Sequence, residues 1–182
     1  FCVLKDSLYK DYMVRAIADN GKTIAVSRNI GTNEPLLMVD VDKRTVINTI
    51  SNHTFICPCL DREGSKVFSV TKSDIYKNIY GNPFCVDAQT GKVIATLDEK
   101  TQWGNTAYHP ASNSVYFSAF KQPNLYKFNF DTLTFSAVPT DKKIRIFDCK
   151  VACDNKGYYY LGSNILVYMN NEDEEVWRIN FK

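Results

Sequence analysis

Apolar residues along this chain fall in short runs, and the runs are separated by polar clusters. Leu36-Leu37-Met38-Val39, Pro83-Phe84-Cys85-Val86 and Tyr158-Tyr159-Tyr160-Leu161 are continuous runs. No long window carries the 3.6-residue period of an amphipathic helix, so the pattern predicts strands. The separating clusters have turn chemistry: Asp19-Asn20-Gly21-Lys22, Asp61-Arg62-Glu63-Gly64-Ser65, Ala88-Gln89-Thr90-Gly91 and Asp154-Asn155-Lys156-Gly157. Gly supplies positive φ in such turns, and Asn and Asp tolerate it.

The predicted strands group into four units of one plan, each a strand, a polar turn, a second strand, a variable loop, a third strand, a tight turn and a fourth strand. The first unit reads Tyr12–Ala18, Thr23–Arg28, Leu36–Val41 and Thr45–Ile50. The second reads Thr54–Leu60, Lys66–Thr71, Pro83–Asp87 and Lys92–Leu97. The third reads Asn105–His109, Ser114–Phe120, Leu125–Phe130 and Thr134–Val138. The fourth reads Asp148–Cys153, Tyr158–Gly162, Ile165–Met169 and Glu175–Phe181. The residues opening the first turn, Asp19, Asp61, His109 and Asp154, are spaced 42, 48 and 45 apart. A period of about 40–50 residues with four strands per repeat predicts an all-β chain of β-propeller blades. The blades are expected at residues 12–51, 53–98, 104–140 and 146–181, within one propeller region. A four-stranded sheet with two apolar faces buries both only against neighbours. Val39, Phe68, Val86, Phe117, Phe128, Tyr159 and Val167 are the expected inter-blade core.

The stretch Phe84-Cys85-Val86-Asp87-Ala88-Gln89-Thr90-Gly91-Lys92-Val93-Ile94-Ala95-Thr96-Leu97 resembles the third and fourth strands of a YVTN-type repeat. Met38–Val46 and Lys127–Thr134 echo it. Quinoprotein-like and WD-repeat propellers share this grammar, and the resemblance implies the fold far more than a function. No Trp-Asp dipeptide closes a blade, although Val176-Trp177-Arg178-Ile179 occupies a comparable strand. No Gly-His dipeptide opens one, and only Trp103 and Trp177 are present.

The 22 basic and 20 acidic residues nearly balance, which argues against a nucleic-acid binder. Lys142–Arg145 and Glu172–Glu175 read as solvated turns. No apolar run reaches the roughly 18 residues of a transmembrane helix. Six cysteines, at 2, 57, 59, 85, 149 and 153, are too few for a disulfide scaffold and lie mostly in apolar runs. Cys57-Pro58-Cys59 on a strand would place both thiols on one face. The thiols are expected to be buried and reduced, which favours an intracellular, cytoplasmic home. The sequon Asn52-His53-Thr54 points instead to a secreted protein.

No nucleophile elbow, phosphate loop or metalloprotease motif is present, and only His53 and His109 are available. Both read as structural, His109 as a turn residue. No cofactor, metal or catalytic residue is expected. Asp40 and Asp87 occupy equivalent strand ends and are weak candidates for a cluster at an axial mouth, with turn capping as their plainer role. The loop from Thr71 to Asn82 carries Ile75, Tyr76, Ile79 and Tyr80, a candidate contact patch for a protein partner. The function expected is a non-catalytic protein-binding or assembly-scaffold propeller. A lactonase-like or quinoprotein-like enzyme with an axial site, and a secreted recognition propeller, are the alternatives. Phe1–Lys5 reads as a strand left from a preceding unit, so an incomplete propeller contacting further blades is expected. The rival is a closed four-bladed ring in which Phe1–Lys5 completes the last blade.

Overall fold

The computed structural model describes residues 11–28, 34–70, 81–99, 103–119, 122–152 and 154–181. These residues form four antiparallel four-stranded sheets and contain no helix, hence none long and apolar enough to cross a membrane. Blade 1 runs in order through β1 (Met13–Ile17), β2 (Thr23–Ser27), β3 (Leu36–Asp40) and β4 (Thr45–Ile50). Blade 2 holds β5 (Ile56–Leu60), β6 (Lys66–Val70), β7 (Pro83–Asp87) and β8 (Val93–Thr96). Blade 3 holds β9 (Trp103–His109), β10 (Ser114–Ala119), β11 (Leu125–Asn129) and β12 (Thr134–Val138). Blade 4 holds β13 (Ile146–Val151), β14 (Gly157–Gly162), β15 (Ile165–Asn170) and β16 (Glu175–Asn180). Each strand sits where the apolar runs predict it, although β9 and β13 begin two residues early. The proposed contact loop Ile75, Tyr76, Ile79 and Tyr80, the strand Phe1–Lys5, Cys2 and Cys153 lie outside the described residues.

The blades form two compact units: β1–β8 make the first and β9–β16 the second. In the first unit, Ala25, Leu36, Met38 and Ile50 of blade 1 share one core with Leu60, Val67, Phe84 and Val86 of blade 2. Ala25 on β2 shares this core with Val67 on β6 and with Phe84 and Val86 on β7. Polar contacts flank this seam. The Asn48 side chain donates to the carbonyls of Ala88 (2.5 Å) and Gln89 (2.9 Å). The His53 Nε2 meets the Gly91 carbonyl at 2.9 Å, with the ring among Phe55 and Phe84. The Asn20 amide donates to the Arg62 carbonyl at 3.2 Å. The blades approach closely at Gly64, whose φ is +72°; a Cβ there would stand 2.5 Å from that of Thr23. Only glycine meets both demands.

In the second unit, Ala107, Tyr116, Leu125 and Val138 of blade 3 pack on Cys149, Tyr158, Tyr160, Val167 and Met169 of blade 4. Six of the seven expected core residues are fully buried, with Val39, Phe68, Val86, Phe117, Phe128 and Val167 each at 0% exposure. Tyr159 is the exception and is only half-buried. The run Tyr158–Leu161 looks apolar throughout, yet burial alternates along it: Tyr158 and Tyr160 are buried against blade 3, while Leu161 is 41% exposed. Strand alternation puts Tyr159 and Leu161 on the opposite face.

The ladders are not regular. The first strand of each blade pairs with its neighbour through a register shift, at Val14/Ala16, Ile56/Cys59, Phe117/Ala119 and Ile146/Asp148. A second shift skips Ile47 on β4, Ile94 on β8 and Val176 on β16. These three skipped side chains are all exposed, at 54%, 37% and 55%. The β11–β12 ladder has no such shift.

Candidate functional site

The groups with chemical potential are best followed from the turns, because most of them stand there. Asp40 Oδ1 accepts the Lys43 amide at 2.8 Å, and its other oxygen meets Lys43 Nζ at 3.2 Å. Asp87 Oδ1 accepts the amides of Gln89 (3.1 Å) and Thr90 (2.7 Å) and the Thr90 hydroxyl (2.8 Å). Hydrogen bonds from Lys43 and Thr90 respectively hold both carboxyls below their ordinary range. In blades 3 and 4 the same position is an asparagine. Asn129 Oδ1 accepts from Asp131, Thr132 and the Thr132 hydroxyl, and Asn170 Oδ1 accepts from Glu172 and Glu174. What this position needs is an acceptor oxygen, and a charge is dispensable.

The first turns follow the same logic with more variety. Asp61 is buried and accepts the Ser65 hydroxyl (2.7 Å), the Lys66 amide (2.9 Å) and Lys66 Nζ (3.4 Å). In blade 3 His109 replaces it, and its Nδ1 faces the Ser112 amide (3.2 Å) and hydroxyl (3.0 Å). An imidazole that accepts at Nδ1 carries its neutral-form proton on Nε2. That nitrogen is buried and makes no hydrogen bond among the described residues, although Asn171 lies close enough to favour the protonated ring. Burial first, and then the Lys127 charge, hold His109 below its ordinary pKa.

One turn does something the sequence does not reveal. Asp173, at φ +64° in the β15–β16 turn, accepts the hydroxyls of Tyr116 (3.0 Å) and Tyr158 (2.9 Å) and pairs with Lys127 Nζ (3.4 Å). The two tyrosine rings stack at 3.9 Å, with Lys127 over the Tyr116 face at 5.3 Å. Burial drives both phenols far above their ordinary pKa, with the Asp173 charge adding to it. The acidic run Glu172–Glu175 is therefore more than a solvated turn. Its Asp173 is the polar anchor of the seam between blades 3 and 4. Beside it lies a cleft of about 510 Å3 bordered by Asp141, Tyr160, Met169 and Glu172–Glu175. Much of its charge is already used, because Arg178 pairs with Asp141 (3.5 Å) and Glu175 (2.5 Å).

The four described cysteines carry no common site. Cys57, Cys59, Cys85 and Cys149 are thiols. The expected shared face of Cys57 and Cys59 does not form, because the register shift lies between Ile56 and Cys59 and Cys57 adopts φ +48°. Burial pushes the Cys85 thiol far above its ordinary pKa, which leaves it inert. Among the described residues, no group of three or more His, Cys, Asp or Glu is placed to hold a metal ion. Asn52, the sequon residue, is exposed at φ +70°.

Blade 4 carries an aromatic sheet face. Tyr159, Tyr168 and Trp177 stand on one rung across three strands, with centroid separations of 4.9 Å and 5.6 Å between neighbours. Leu161, Leu166 and Ile179 form the next rung on the same face. Trp177 is 38% and Ile179 48% exposed. Sequence reasoning missed this face because it read the Tyr158–Leu161 run as buried on both sides.

No protein-family model and no curated protein matches this sequence. Solved structures do. The chain is similar to the β-propeller domain of Myceliophteria thermophila Cps50 (Swd1), with a TM-score of 0.64 at 13% identity, over 91% of this chain and 54% of that one. It is also similar to Kuenenia stuttgartiensis hydrazine synthase, with a TM-score of 0.64 at 11% identity, over 91% of this chain and 48% of that one. The chain spans about half the length of either. The four sheets thus have the fold of β-propeller blades.

Proposed function

We propose that this chain is a non-catalytic propeller module that binds protein and serves as an assembly scaffold. The observation that carries this reading is the open face of blade 4, with Tyr159, Tyr168 and Trp177 on one rung and Leu161, Leu166 and Ile179 on the next. Interfaces favour aromatic residues because these bring large contact area at low entropic cost. The fate of the polar groups supports the same reading. Asp40, Asp61, Asp87 and His109 each cap a turn, and Asp173 anchors a seam.

The test compares the protein with its Trp177→Ser variant in affinity capture from the source cells, followed by quantitative mass spectrometry. A protein retained in near-stoichiometric amount by the parent and lost from the variant is the expected result. Turnover of a lactone, an ester or a redox dye by the purified protein, unaffected by Trp177→Ser, would replace the scaffold reading with the enzyme one.

A further inference from the structure

The first turn of blade 1 holds a covalent chemistry that the other turns lack. Asn20-Gly21 is the only Asn-Gly pair in the chain. Both residues are exposed, and a Cβ built at Gly21 meets nothing within 4 Å, so no neighbour crowds the peptide between them. A glycine after asparagine lets its own amide nitrogen reach the asparagine side-chain carbon, because no Cβ stands in the way. The exposed Asn105, Asn164 and Asn171 are followed by Thr, Ile and Glu, whose side chains hinder that approach. The Asn20 side chain is already folded over the Gly21 peptide, since its Oδ1 accepts the Lys22 amide at 2.9 Å. That bond also polarises the Asn20 carbonyl and stabilises negative charge on Oδ1 when a nucleophile adds to Cγ.

Other contacts hold the reaction back. The Gly21 N–H donates to the Ala18 carbonyl at 2.9 Å, which restrains the attacking nitrogen. Blade 2 restrains the rest: Asn20 Nδ2 donates to Glu63 Oε2 at 3.2 Å, and the Asn20 N–H donates to the Arg62 carbonyl at 3.2 Å. Asn20 must turn its amide off Glu63 before Cγ meets the Gly21 nitrogen. The tie joins two exposed side chains, so opening it costs little.

We propose that Asn20 is a deamidation site whose rate is set by its contact with Glu63 of blade 2. The Gly21 nitrogen gives its proton to water and bonds to Asn20 Cγ. The Cγ–Nδ2 bond breaks, and Nδ2 leaves as ammonia. Water then opens the resulting succinimide at either carbonyl, which yields an aspartyl or an isoaspartyl linkage. One water is consumed and one ammonia released, with no oxidant or cofactor. Either product adds a negative charge beside Glu63 and removes the amide donor that reached it. The isoaspartyl form also inserts a methylene into the main chain of the turn that aligns β1 with β2, where Ala18 and Thr23 now pair at 2.9 Å. The modification therefore unfastens the first turn of blade 1 from that of blade 2.

The full chain is aged in mildly alkaline buffer and digested, and each asparagine peptide is followed by mass spectrometry for the exchange of amide for carboxyl. Asn20 should convert about ten-fold or more faster than Asn105, Asn164 and Asn171. Glu63→Ala should speed conversion at Asn20 about three-fold or more, while Glu63→Gln keeps an acceptor and should stay within about two-fold of the parent. Circular dichroism of each variant, with the urea-unfolded parent as the upper limit of rate, separates a loosened turn from a lost fold. Conversion at Asn20 no faster than at the other exposed asparagines overturns the site. Equal rates in the parent and Glu63→Ala overturn the control by blade 2. The consequence is read without ageing: Asn20→Asp should unfold at a lower urea concentration than the parent, and adding Glu63→Gln should recover most of the loss. An unchanged midpoint in Asn20→Asp overturns the loosening of the turn.

Discussion

The two inter-blade seams solve one problem with different materials. The seam of the first unit is apolar: Ala25, Leu36 and Met38 meet Val67, Phe84 and Val86, with polar contacts from Asn48 and His53 beside it. The seam of the second unit runs two stacked tyrosines through its core and ends them on one half-buried carboxylate, Asp173. The first is held by shape, and a small change there costs cavity energy. The second is also held by hydrogen bonds, and removing one acceptor there strands two buried donors at once.

That contrast can be broken most forcefully at the rings. Tyr158→Ala should cost about 3–5 kcal/mol and Leu36→Ala about 2–5 kcal/mol in urea unfolding. If both cost under about 1 kcal/mol, neither residue sits in a packed seam. Asp173→Ala comes next, at about 2–3 kcal/mol, with Tyr158→Phe nearer 1 kcal/mol. The double variant Tyr158→Phe/Asp173→Ala should be less destabilised than the sum by about 0.5 kcal/mol or more. Strict additivity would mean that the carboxylate does not serve the ring.

His109 gives a smaller, pH-dependent effect. Its folded pKa is depressed, so the unfolded chain takes up a proton first as pH falls below about 6.5. Stability should be complete above that pH and drain away toward the folded pKa. His109→Asn retains an acceptor for the Ser112 amide and should flatten this loss between pH 7 and 5.5; equal losses in both proteins would refute the assignment. Smallest of all is Asp87→Asn. Because Asn129 and Asn170 already do this task, the change at pH 7 should stay within about 0.5 kcal/mol. The depressed carboxyl contributes above its unfolded pKa of about 3.9 and loses that contribution as pH falls through its folded value. The variant should lack that part of the acid limb, and a matching limb in both would show that Asp87 is not the titrating cap.

The strands were legible because apolar runs and turn residues are local signals. Gly21, Gly64 and Gly91 take the positive φ that their turns predict, whereas in the Asp154–Gly157 turn it is Asn155 that takes it, at +57°. His109 was legible as a turn residue because it stands where the other blades have Asp. Tyr159 was not, since a run of three tyrosines gives no sign of which face meets a neighbour. Asp173 was hidden for a related reason. Its partners Tyr116 and Tyr158 belong to strands of different blades, and no spacing along the chain encodes that meeting. The Cys57–Cys59 spacing misled because a bulge inserted one residue into the two-residue alternation.

The skipped residues Ile47, Ile94 and Val176 bear on solubility. An outermost strand offers a row of unpaired amides and carbonyls to any stray chain, and a bulge twists that row out of line. β4, β8 and β16 are protected in this way, each with a β-branched side chain turned outward. β12 keeps an unbroken ladder from Thr134 to Val138, so its outer edge is the straightest template among the described strands. Under partial unfolding, amyloid-type growth should begin there, and a lysine at Ser136 should delay it.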